Sequence, residues 1–128
     1  MNTPKNLKYS KTHEWVEFVG ADTVKIGLTD FAQQKLGKLV FVNLPLVGDE
    51  LLIDEPLGDV ESVKAVSDVL SPVNGTVTDV NEELLDSPGM INDDPYGAWL
   101  VLVKVNITSD NDDLLTAEGY EAFCAEEE

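Results

Sequence analysis

A mainly β protein of the sandwich or barrel type is what this sequence predicts. Short alternating or continuous apolar segments recur along the chain, Gly, Pro and Asn-Gly signals separate them, and no long helical pattern interrupts the series. At 128 residues and 43% hydrophobic content, the chain suits one domain with a real core and is too apolar for a disordered one. No long linker or low-complexity tract divides residues 1–128.

Taken in order, Glu14 to Phe18 and Asp22 to Leu28 alternate about Gly20 and Ala21, the pattern of a hairpin. Asp30 to Leu36 reads as a helix, with Asp30 as N-cap, Gln33 three residues on and Gly37 just past the end. Leu39 to Leu44 is a near-continuous apolar run ending at Pro45, which predicts a strand buried on both faces. Glu50 to Ile53, Leu57 to Val63, Ala65 to Leu70, Gly75 to Val80 and Trp99 to Val105 read as further strands. Turns fall at Val47-Gly48-Asp49, Ser71-Pro72 and Asn74-Gly75. Asn81 to Asp86 reads as a short helix with Glu82 and Glu83 in its first turn and Pro88 as its stop. Thr116 to Ala125 is a closing helix, weakened by about 1 kcal/mol at Gly119 relative to Ala. The run around Ser109 reads as a solvated loop.

Acidic residues number 25 against 8 basic, a formal net charge of -17. Nucleic acid and anionic membrane surfaces would be repelled. The acidity serves solubility and is compatible with steering toward basic patches on partner proteins. Cys124 is the single cysteine, so no intrachain disulfide is expected, and no cation nearby in sequence would activate it. No apolar run approaches the length of a membrane span, and the N-terminus lacks a signal-peptide pattern. A cytoplasmic location and a monomer are the expectations.

Residues that would build an active site are sparse. His13 and Cys124 are each alone of their kind, so no zinc spacing exists. Asp110 to Asp113 lacks the Gly and terminal Glu of a calcium loop. Gly48, Gly58 and Gly75 stand apart and make no P-loop, and no serine sits in a G-x-S-x-G setting. Neighbouring carboxylates such as Asp59 and Glu61 are expected by chance among 25. No metal and no enzyme activity are therefore expected. The trio His13, Glu14 and Trp15 allows two readings: a strand start with Trp15 inward and His13 hydrogen-bonded, or a polar lip of a binding site. Trp99 is expected in the core.

One lysine stands out. Val60 to Val69 reads V-E-S-V-K-A-V-S-D-V, a near-mirror about Lys64 and Ala65. Folded there, Val63 meets Val66, Ser62 meets Ser67, Glu61 meets Asp68 and Val60 meets Val69. Such pairing suits a β-hairpin with Lys64 and Ala65 as a two-residue loop. Lys-Ala carries none of the usual turn residues, so a single strand with an exposed lysine is the other reading. The hairpin would present Lys64 at a tight tip, a natural handle for covalent attachment.

The segment G-D-V-E-S-V-K-A-V-S-D-V-L-S-P-V-N-G, Gly58 to Gly75, closely resembles the lipoyl-attachment signature of the glycine cleavage H-protein family. The likeness extends to L-K-Y-S-K-T-H-E-W-V, I-G-L-T-D-F-A-Q-Q-K-L-G, V-F-V-N-L-P, V-G-D-E, I-N-D-D-P-Y-G-A-W-L and A-E-G-Y-E-A-F, in that family's order along nearly the whole chain. The resemblance implies a lipoyl/biotinyl-type barrel-sandwich of two small sheets with flanking short helices, and one lipoyl-carrier domain over 1–128 with helical or loop extensions at both ends. It implies lipoic acid in amide linkage to Lys64, with Gly48 and Gly75 flanking, and Glu61 as the acidic residue read by the lipoylating enzyme.

The function so implied is carriage. A pyridoxal-phosphate glycine decarboxylase (P-protein) loads an aminomethyl group onto the arm. An aminomethyltransferase (T-protein) passes the one-carbon unit to tetrahydrofolate, and a dihydrolipoyl dehydrogenase (L-protein) reoxidises the dithiol. A lipoate ligase or octanoyltransferase would attach the group. About eleven bonds separate the Lys64 backbone from the dithiolane, a reach on the order of 14 Å. The loaded arm in this family folds into a surface cleft, where Glu14 is the candidate to meet the cationic amine. Some relatives carry a helix histidine where this chain has Gln33, Gln34 and Lys35; Lys35 would repel the amine, and His13 is a candidate partial substitute. An octanoyl or lipoyl relay to 2-oxoacid dehydrogenases is the alternative use of the same lysine. A biotin carrier fits less well, because Val63 and Ala65 stand where those domains place Met. An unmodified binding module remains the reading from another class.

Overall fold

A computed structural model describes residues 3–105 and 114–127. Two antiparallel sheets form its frame, as expected, but they are unequal. The strands are β1 (Lys8–Tyr9), β2 (Glu14–Phe18), β3 (Thr23–Leu28), β4 (Leu39–Asn43), β5 (Glu50–Leu51), β6 (Pro56–Ser62), β7 (Val66–Leu70), β8 (Gly75–Val80) and β9 (Val101–Val105). Six of them form one sheet in the order β1-β2-β3-β9-β8-β5, and β4-β6-β7 form the other. Inward alternate residues of both sheets meet: Val24 and Ile26 from β3, Val77 from β8, and Val101 and Val103 from β9 pack with Val42, Val60 and Val69. Leu84 and Ile91, from the short helices α2 (Glu83–Asp86) and α3 (Met90–Asp93), close this core.

A second cluster lies under the C-terminal helix α4 (Ala117–Glu127). Ala117, Tyr120 and Cys124, at helical spacing, pack against Leu7, Tyr9, Trp15 and Phe31. The Tyr9 and Tyr120 rings stack at 4.7 Å. Trp15 is buried, as its inward reading required, and its indole N–H donates to the Pro95 carbonyl at 3.0 Å. Its ring lies across Gly27, where a Cβ would come within 2.5 Å of it. Trp99 is only partly buried at the edge of this cluster.

Helix α1 (Asp30–Leu36) has its expected bounds but not its expected cap. Thr29, in extended conformation, accepts from the Ala32 N–H at 3.1 Å, while the Asp30 carboxylate instead takes the side-chain amides of Gln33 and Gln34 at 2.7 and 3.1 Å. Thr29 wins because its hydroxyl also bonds Tyr120 at 2.7 Å, a tertiary contact no local pattern reveals. Gly37 ends the helix at φ 81, a conformation that favours glycine.

Strand β4 departs from the two-sided burial expected for it: Leu39 and Val42 are buried, whereas Val40 and Phe41 face outward. Helix α3 and strand β1 have no counterpart in the sequence reading, being four and two residues long. Asn92 holds α3 in place: its carbonyl accepts from Leu39 N–H at 2.9 Å, and its amide donates to Gln33 and Gly37 at 3.0 and 2.9 Å. The loop expected around Ser109 and the stretch Asp110 to Asp113 lie outside the described residues.

Candidate functional site

The Lys64 segment is a hairpin, with its register displaced by two residues from the mirror. Glu61 opposes Val66, Val60 opposes Ser67, and Asp59 opposes Asp68. Val63 and Lys64 therefore form the tip, in place of Lys64 and Ala65. A two-residue shift keeps every side chain on its predicted face, so Val60 and Val69 still point into the core. Ser62 explains the shift. Its hydroxyl accepts from the N–H groups of Lys64 and Ala65 at 3.3 and 3.1 Å, and its own N–H donates to the Ala65 carbonyl at 2.8 Å. A serine hydroxyl supplies the turn chemistry that Lys-Ala lacks. Val63 N–H adds a bond to the Lys38 carbonyl at 3.3 Å, tying the tip to the loop after α1.

Lys64 is exposed, and its stem runs along Gly37: a Cβ there would sit 3.6 Å from Lys64 Cε. Lys35 and Leu36, just before Gly37, line a groove of about 400 Å³ between α1, the β6–β7 hairpin and the start of β2. Leu28, Phe31, Ala32, Val60 and Val69 give the groove its apolar lining, and Thr12, His13, Glu14, Ser67, Asp68 and Glu127 line it with polar groups. Lys35 also places its ammonium 5.4 Å from the Phe31 ring centre.

Glu14 and His13 owe their placement to the tight loop Ser10–Glu14. His13 adopts φ 76, which turns successive side chains to different neighbours. Glu14 is almost wholly buried. Oε1 accepts from Ser10 at 2.7 Å and from the Thr12 hydroxyl, and Oε2 takes only the long 3.4 Å bond from Leu70 N–H. Burial drives its carboxyl up to about 7, against the lowering effect of these bonds. The two ion pairs among the described residues, His13–Glu127 and Lys104–Asp22, do not include it. A buried carboxyl in the lining of a groove, with no cation paired to it among the described residues, is suited to receive one.

His13 joins Glu14 at this end, but its ring nitrogens are engaged: Nδ1 with Tyr120 Oη at 2.7 Å and Nε2 with Glu127 at 2.8 Å. Its ring stacks on Phe31 at 4.7 Å. Both readings of the His13–Glu14–Trp15 trio therefore have a counterpart here. Glu61 is not part of the groove; it faces outward on β6 between Phe41 and Val66. Asp68, Glu127, Thr12 and Phe31 were missed as groove residues. Thr12 had a local signal, a hydroxyl two residues from Glu14, whereas Glu127 is distant in sequence and comes near only through α4. Among the described residues no metal-binding cluster is present, and no helix is long and apolar enough to cross a membrane.

Residues 7–127 match the family model described as "Glycine cleavage H-protein". The chain is 54% identical over 127 residues to the glycine cleavage system H protein of Geobacillus kaustophilus, covering 98% of this chain and 99% of that one. It is 52% identical over 128 residues to the protein of the same description from Bacillus pumilus, covering 99% and 100%. A crystal structure of a glycine cleavage system H protein from Mycobacterium marinum superimposes with a TM-score of 0.87 at 37% identity, over 95% of this chain and 98% of that one.

Proposed function

The chain belongs to the glycine cleavage H-protein family, and on that premise we propose that Lys64 is its lipoyl attachment point within a single carrier domain over 1–128. Its function is that of the family: it is a lipoyl carrier of the glycine cleavage system and not an enzyme. Interaction with the other components of that system follows from the role. The P-, T- and L-proteins, and a lipoate ligase or octanoyltransferase, are the individual partners we propose.

The observation that carries the assignment of Lys64 is its placement. An exposed amine stands on a turn locked by Ser62, with its stem against Gly37, one residue past Leu36 of the groove lining. The groove fits a lipoyl group, since Leu28, Phe31, Ala32, Leu36, Val60 and Val69 offer apolar contacts for an acyl chain and Glu14 brings a buried carboxyl into the same lining. When bound, the group supplies a dithiolane that takes up the aminomethyl unit. Glu14 would meet the cationic amine of that unit, with Ser10 and Thr12 fixing Oε1 and leaving Oε2 for the cargo. A cation beside it would favour the carboxylate, so Glu14 would release its proton as the cargo seats. His13, both nitrogens committed, would act as wall and would hold Glu127 at the rim. Lys35, which lines the same groove, opposes a protonated amine, so the balance rests on Glu14. Glu61, outside the groove, is proposed as the residue read by the lipoylating enzyme.

Intact-mass spectrometry with peptide mapping, on protein from cells supplied with lipoate, tests the attachment. One lipoyl amide on the peptide bearing Lys64 is expected. An unmodified Lys64, where a control domain is lipoylated, would sink the assignment. For Glu14, the Glu14→Ala variant should shorten the lifetime of the loaded form; an unchanged lifetime would remove Glu14 from the account.

A further inference from the structure

The outer face of the three-stranded sheet carries apolar side chains beside Lys64, and a bulge in β4 turns one of them, Phe41, outward. Pairing runs from Leu39↔Ser62 to Phe41↔Glu61, so Val40 is an extra residue in β4. Without it, the ladder from Leu39 would set Phe41 opposite Val60 and point it into the core. With it, Val42 takes the inward place and Phe41 faces solvent at 53% exposure. Phe41, Glu61 and Val66 oppose one another in one row across β4, β6 and β7. Val66 is 65% exposed, and Val63 at the turn 75%. The next outward row is Asn43, Asp59 and Asp68, so carboxylates rim the apolar patch.

Two lengths decide what covers this face. The lysine amine lies about 6 Å from its own backbone, whereas the dithiolane of an attached arm lies on the order of 14 Å out. Enzymes acting at the far end of the arm can work without touching the tip. An enzyme that forms a bond to Nζ must bring its own surface against the residues around Lys64.

We propose that the face formed by Val40, Phe41, Val63 and Val66 is the docking surface of the enzyme that acylates Lys64. The matching partner surface is an apolar depression rimmed by basic side chains, complementary to Glu61, Asp59 and Asp68. The inference rests on Lys64 being the attachment site. In the step served, neutral Nζ forms an amide bond to the acyl carbon of an acyl adenylate. The carbon–oxygen bond to the phosphate breaks, AMP leaves with that electron pair, and the proton of the amine passes to a base on the enzyme.

The test uses the full unmodified chain with a lipoate ligase, lipoate and Mg-ATP. For the Phe41→Ser/Val66→Ser variant, acceptor kcat/KM should fall by about tenfold or more, mainly through KM, with a native circular dichroism spectrum. Leu46→Ser removes a still more exposed apolar side chain beyond the opposite end of β4 and should change kcat/KM by less than about twofold. Loaded to completion with excess ligase and then reduced to the dithiol with a phosphine, the double variant should be reoxidised by dihydrolipoyl dehydrogenase at the wild-type rate. Acceptor kcat/KM within about twofold of wild type, or an equal fall in ligation and reoxidation, would overturn the docking surface and leave the attachment site standing. A wild-type chain that takes no lipoyl group on Lys64 would overturn premise and inference together.

Discussion

At Glu14, burial outweighs the hydroxyl and amide bonds to its carboxyl and pushes the group up to about 7 from an ordinary 4.5. The folded state therefore holds this proton more tightly than the unfolded chain does. Stability from the group is fully present below the unfolded value and is lost as pH rises through about 7. At 1.36 kcal/mol per unit, the full swing is on the order of 3 kcal/mol. Glu14→Gln keeps an acceptor for Ser10 and Thr12 but cannot ionise. Its unfolding free energy relative to wild type should rise by about 1–3 kcal/mol between about pH 4.5 and about pH 8, measured by urea denaturation at each. Using the difference between the two proteins cancels the titration of the other carboxylates. A pH-independent difference would mean that Glu14 titrates normally and that burial is relieved by solvent in the groove.

At the level of elements, local chemistry decided what could be read from the sequence and tertiary contacts decided what could not. Strands β2, β3 and β8 and helix α1 carry their own alternation, turn residues or C-terminal glycine, and their bounds were legible. The two-sided burial expected of β4 fails because a bulge leaves no mark in composition: one inserted residue turns Phe41 outward while Leu39 to Val42 are all apolar. The Lys64 hairpin was legible by its mirror pattern, yet its register depended on the Ser62 hydroxyl. Lys64 and Glu14 could be named because motif and resemblance mark them, whereas Glu127 reaches the groove only through the packing of α4. Helix α1 shows the same division. Thr29→Ala removes the acceptor for Ala32 N–H and a partner of Tyr120, and should cost about 1–2 kcal/mol. Thr29→Ser should recover most of it, and equal losses would show that the methyl group, not the cap, matters. Across the β2–β3 pair, Gly27→Ala would force a Cβ into the buried Trp15 ring and should cost about 1–3 kcal/mol, with a changed indole fluorescence. An unperturbed melting temperature would mean that the ring yields freely.

The whole molecule carries a charge of -17 on 128 residues, and its field extends beyond any one contact. Carriage demands repeated brief encounters with several enzymes, so fast association matters more than tight binding, and a long-range field raises the on-rate without slowing release. Such steering works only where the partner surface is basic and the solvent does not screen it. Between about 0.01 M and about 0.15 M ionic strength, the screening length contracts from about 30 Å to about 8 Å. Reoxidation of the reduced lipoyl form by dihydrolipoyl dehydrogenase should therefore lose about tenfold in kcat/KM over that range. Free dihydrolipoamide, which is uncharged and offers the same dithiol, should be oxidised at a rate nearly independent of salt. The ratio of the two substrates separates steering from any direct effect of salt on the enzyme. A ratio that stays flat would show that the acidic surface serves solubility alone, and that recognition is confined to the residues around the arm.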